Sequence, residues 1–100
     1  MGLRFELFFT AAAAAQLDAL ENDKSKSSAL KAVRKTLGLI ETNLRHPSLN
    51  THKFESLKGP DGQDIFEAYA QQHTPASYRI FWCYGPAKGQ ITIVALTPHP

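Results

Sequence analysis

The chain has 100 residues, of which 43% are hydrophobic and 20% charged, with 6 glycines and 6 prolines. This composition excludes collagen-like, low-complexity and disordered classes, and the length fits one domain, 1–100, built on one core. A formal charge of +2 excludes the overwhelming basic field that would by itself mark a nucleic-acid or membrane-surface binder.

The charge is unevenly distributed. Residues 24–58 contain Lys24, Lys26, Lys31, Arg34, Lys35, Arg45, Lys53 and Lys58 against only Glu41 and Glu55, a balance of +6 that leaves −4 elsewhere. Such a block is either a phosphate-facing surface or the solvated side of a helix. Cys83 stands alone, so no intrachain disulfide or cysteine-rich zinc site is available; a reducing compartment and a buried thiol are expected. Segment 7–15 is apolar apart from Thr10 and superficially resembles a signal-peptide core. It is too short to span a membrane, Glu6 precedes it and Arg4 is its one upstream cation, so a cytoplasmic protein with no membrane partner is expected.

In chain order, the aromatic-rich segment 4–9 predicts a strand with Phe5, Leu7 and Phe9 on one face. Thr10 is placed as a helix N-cap, and the alanine run through Leu20 predicts a short helix ending near Asn22, with Ala13, Leu17 and Leu20 on its apolar stripe. Residues 23–28 form a polar turn offering a serine cap to a second helix. Leu30, Val33, Leu37, Ile40 and Leu44 then follow helical spacing, with Lys31, Arg34 and Lys35 off the stripe, and Pro47 prevents a long continuation. Gly38 costs helix propensity and is expected to permit close packing.

Four strands follow, at 53–57, 65–70, 77–84 and 90–97, separated by the turn-rich segments 59–62 and 85–89 and a polar loop at 71–76. Alternation sets Tyr78, Ile80, Trp82 and Tyr84 against Arg79, Phe81 and Cys83, and Ile91, Ile93 and Ala95 against Thr92, Val94 and Leu96. The order β-α-α-β-β-β-β predicts an α+β fold. Its N-terminal strand and helical hairpin pack on an antiparallel-dominated sheet and leave the other sheet face partly open.

At this resolution the sequence resembles the RelE/ParE toxin superfamily from about Phe5 to the C-terminus. Ser48-Leu49-Asn50-Thr51-His52-Lys53 leading to Leu57-Lys58-Gly59 resembles the approach to the family's second strand, and Ile65-Phe66-Glu67-Ala68-Tyr69-Ala70 its third. Tyr78-Arg79-Ile80-Phe81-Trp82 resembles the fourth strand, and Ile91-Thr92-Ile93-Val94-Ala95-Leu96 the fifth. The resemblance implies a RelE-like toxin of a bacterial type II toxin–antitoxin module. It would bind a cognate antitoxin protein and cleave ribosome-bound mRNA as a metal-independent endoribonuclease without cofactors. The alternative it implies is a non-catalytic or gyrase-directed ParE-like protein that binds an antitoxin.

Carried over by position, the resemblance puts Arg79 at the fourth-strand arginine that in cleaving members contacts the scissile phosphate, for which a guanidinium supplies a bidentate fork. The open alternative for Arg79 is an ion pair with a carboxylate such as Glu67 across neighbouring strands. His99 lies near the C-terminal acid/base histidine of the YoeB-like subgroup, although Pro98-His99-Pro100 replaces that subgroup's aromatic ending. Lys53 and Lys58 are the RNA-backbone candidates, with ordinary surface lysines as the alternative. Active relatives usually carry a basic residue just after the Glu67 position, where this chain has Ala68 and Tyr69. His46, His52, His73 and His99 lack zinc-site spacing, so exposed or capping roles are expected, and neither glycine-rich turn has the ending of a phosphate-binding loop.

Overall fold

The sharp exit from the first strand is built on one side chain. Thr10 leaves the extended backbone, accepts the Ala13 amide on Oγ1 at 3.1 Å, and donates from the same hydroxyl to the Val94 carbonyl at 2.8 Å. It thus caps the helix and ties it to the last strand. The computed structural model describes residues 4–72 and 74–99, and the elements in order are β1 (Glu6–Phe9), α1 (Ala11–Glu21), α2 (Ser27–Thr42), β2 (His52–Lys58), β3 (Asp64–Tyr69), β4 (Tyr78–Tyr84) and β5 (Gln90–Pro98). Single 3-10 turns at Lys24–Lys26 and Pro47–Leu49 connect the helices and lead into β2.

The strands form one sheet in the order β1-β5-β4-β3-β2, with β1 parallel to β5 and every other pair antiparallel. This is the expected α+β architecture. The helices bury Ala13, Leu20, Val33, Leu37 and Ile40 against Ala68, Ile80, Trp82, Ile91, Ile93 and Leu96 on one sheet face. Each large apolar side chain so buried contributes about 1.5–3 kcal/mol. The other face carries a smaller cluster, Ile65, Phe81 and Cys83, edged by Phe54, Val94 and Ala95. Burial, and after it the charge of Asp61, push the Cys83 thiol above its ordinary range. No helix among the described residues is long and apolar enough to cross a membrane.

Several local expectations change. Strict alternation along β5 fails because Phe81 faces Ala95 while Trp82 faces Ile93, leaving Val94 as an extra residue in a bulge. Leu96 therefore joins Ile91 and Ile93 on the helix side, and Ala95 turns to the open face with Val94. No serine caps α2: it begins at Ser27, directly after a 3-10 turn capped by the Asp23 carboxylate, which Ser25 holds below the usual range. Leu44 lies past the end of α2 yet still packs against the core. A Cβ added at Gly38 would meet nothing within 4 Å, so close packing does not explain that glycine. Phe9 is 37% exposed, whereas Phe5 and Leu7 pack against the core as expected.

Candidate functional site

Antiparallel pairing brings the end of β3, the start of β4 and the end of β5 together at one end of the open sheet face. Tyr69 lies opposite Arg79, and Arg79 opposite Thr97. One step further, the His99 amide donates to the Ser77 carbonyl at 2.8 Å. Between these ends lies a groove of about 380 Å³, lined by Tyr69, Gln71, Ser77, Arg79 and His99 among others. The β3–β4 connection is held by its own hydrogen bonds. Tyr78 donates its amide to the Gln71 side chain and its carbonyl accepts the amides of Ala70 and Gln71, while Ala76 takes a left-handed φ of 53°.

Arg79 is not a free cation. Its Nη1 donates to Oε2 of Glu67, a carboxylate only 2% exposed, and its guanidinium lies over the Phe81 ring at 5.1 Å from the centroid. The other carboxylate oxygen of Glu67 lies 2.6 Å from Nε2 of His52, its partner in the β2–β3 register. His52 Nδ1 lies 3.1 Å from the Asn50 carbonyl oxygen, and the ring meets Tyr69 edge-on at 5.5 Å. Asn50 reaches this position with a left-handed φ of 46°, a conformation that asparagine tolerates. Buried Arg79 Nε has no hydrogen-bond partner among the described residues.

Arg79 and His99, the two catalytic candidates, therefore line the same groove. Lys53 and Lys58 are placed elsewhere: both engage Asp64, at 3.5 and 2.7 Å. Strand alternation turns Lys53 to the face opposite His52. The Lys58 hydrogen bond, with the charge of Lys53 behind it, holds the Asp64 carboxyl below its usual range, and the same bond raises the Lys58 ammonium. His46 is a cap, accepting the Ser48 amide, while His73 lies outside the described residues. The basic block divides in the same way. Lys31, Arg34 and Lys35 stand on α2, in the layer over the other sheet face, and Arg34 is bound to Glu21 at 2.9 Å. Lys35 lines a second depression together with Tyr69 and Gln72, which also border the groove.

The residue that sequence reasoning missed is His52. With β2 expected to begin at Lys53, His52 fell in a loop and its facing partner Glu67 went unnoticed. The one available signal was period two: His52 and Phe54 share a face, as do Ile65, Glu67 and Tyr69.

This two-layer α+β domain, two helices on a five-stranded mixed sheet, has the fold of the RelE/ParE toxins. The solved structures it is similar to include the YoeB dimer from Staphylococcus aureus, at 16% identity over 97% of this chain and 99% of that one, with a TM-score of 0.63. A YoeB/ParE toxin from Agrobacterium tumefaciens is 10% identical over 96% and 100% of the two chains, with a TM-score of 0.64. The archaeal RelE–RelB complex from Pyrococcus horikoshii OT3 gives 14% identity, 95% and 94% coverage, and a TM-score of 0.63. No protein-family model and no curated protein sequence matches the chain.

Proposed function

We propose that this protein is the toxin component of a type II toxin–antitoxin module and an endoribonuclease acting on ribosome-bound mRNA at the Arg79–His99 groove. The observation that carries this reading is the convergence of a guanidinium and an imidazole on one groove at the strand ends. In the reaction the RNA 2′-oxygen attacks phosphorus and the bond to the 5′-oxygen breaks, giving a cyclic phosphate and a 5′-hydroxyl. A base takes the 2′-hydroxyl proton, an acid supplies one to the leaving oxygen, and a cation stabilises the phosphorane charge. Arg79 takes the last role and His99 one of the proton transfers. Tyr69 is a stacking surface for a base, and Lys35 is a backbone cation next to it. Lys53 and Lys58, both held by Asp64, take part only with RNA that runs beyond the groove. The likeness to a RelE solved with RelB supports an antitoxin protein as partner.

A second reading has its own observation. Glu67 neutralises Arg79, as it would in a non-catalytic protein that binds an antitoxin or, ParE-like, gyrase. Induced expression in a bacterial host separates the two. The first reading predicts growth arrest that Arg79→Ala relieves. Unimpaired growth together with a tight complex with a small neighbouring protein selects the second.

A further inference from the structure

Both ring nitrogens of His52 face oxygen acceptors, the Asn50 carbonyl at 3.1 Å and the Glu67 carboxylate at 2.6 Å. A neutral imidazole has one N–H and one lone pair, so it satisfies only one of these contacts. The two coexist when a further proton lies between Nε2 and Oε1, on either atom. Glu67 is buried and its second oxygen is taken by Arg79, so its charge is answered by these two side chains. With the further proton, the chain His52–Glu67–Arg79 carries one net positive charge, and without it none.

We propose that His52 is a positioning residue for Arg79: acting through Glu67, it restores the positive charge that Glu67 removes and leaves the guanidinium able to hold a phosphodiester in the groove. This rests on the reading of the groove as an RNA site. Among the described residues, the groups facing His52 are Glu67 and Tyr69 from β3 and the Asn50 carbonyl from the segment before β2. Arg79 on β4 reaches it through Glu67, and His99 lines the groove from the end of β5. His46 is turned to Ser48, and Lys53 alternates to the opposite face.

Two measurements on the full chain test this. Nitrogen-15 spectra of His52 at the pH of strongest RNA binding are expected to show hydrogen on both ring nitrogens, or one proton shared with Glu67. A single neutral tautomer there, with the Glu67 carboxylate ionised, overturns the proposal. Binding of a 2′-O-methylated RNA hexanucleotide, which cannot be cleaved by 2′-oxygen attack, is then followed against pH. His52→Gln keeps a donor toward Glu67 but has no proton to lose. It is expected to bind about fivefold to tenfold more weakly than the wild type where wild-type binding is strongest, with a flattened pH profile. Wild-type affinity and pH profile in His52→Gln, with binding lost in Arg79→Ala, overturn the positioning role alone. Undiminished binding by Arg79→Ala overturns the functional reading, and the positioning role with it.

Discussion

Arg79 and Glu67 meet diagonally across β3 and β4, one strand from the sheet edge, and neither is exposed enough to be solvated independently. Residue 67 lies on the same sheet face as Ile65 and Phe81, so its carboxylate is desolvated wherever β3 pairs correctly. Removing one member of such a pair strands the other.

Glu67→Ala is therefore expected to lower the unfolding free energy by about 3 kcal/mol, measured by urea denaturation. The double variant Glu67→Leu/Arg79→Met is expected to recover most of that loss, because no buried charge remains. A double variant no more stable than Glu67→Ala would contradict the assignment of that loss to a stranded charge.

Thr10 performs two tasks with one hydroxyl, capping α1 and binding the Val94 bulge carbonyl. Thr10→Ala is expected to cost about 1–2 kcal/mol, while Thr10→Ser retains most of the stability. Thermal unfolding of both variants checks this.

At Gly38, on the exposed side of α2, an added methyl meets no neighbour. Gly38→Ala is expected to stabilise the protein by about 1 kcal/mol through helix propensity, read as a rise in Tm with RNA binding unchanged.

The Lys58–Asp64 link joins the end of β2 to the start of β3 and shifts its two groups in opposite directions. The folded-state value of Asp64 is lowered, so its contribution is present above the unfolded carboxylate value and is lost as pH falls through the folded one. That of Lys58 is raised, so its contribution is present below the unfolded lysine value and is lost as pH rises through the folded one. The link is thus expected to hold across the neutral range and to fail at both extremes. An NMR titration of Lys58→Met should show Asp64 moving back up toward the ordinary range.

Much of the scaffold was legible because local signals and tertiary demands agree there. Thr10 before an alanine run, the stripe Val33-Leu37-Ile40 and the alternation of Ile80 and Trp82 against Arg79 and Phe81 all act within one element. The β5 bulge was not legible: Val94, Ala95 and Leu96 are all apolar, so nothing in their order reveals where the extra residue falls. The site divides in the same way. Arg79 and His99 were singled out by position and line one groove, and Glu67, the alternative partner, is the one Arg79 takes. The His52–Glu67 contact depends on the register of two strands joined by a turn, and a one-residue error in the start of β2 conceals it. The assignment of Lys53 and Lys58 to the groove missed Asp64 at the start of β3, which takes both ammonium groups.

The central claim is that Arg79 serves phosphate chemistry at this groove, and mapping of mRNA 5′ ends in a cell-free translation reaction tests it most directly. The wild-type protein is expected to generate discrete cleavage products on translated message, with Arg79→Ala reducing them by about a hundredfold or more. Intact message with the wild-type protein, or undiminished cleavage by a folded Arg79→Ala variant, would contradict it.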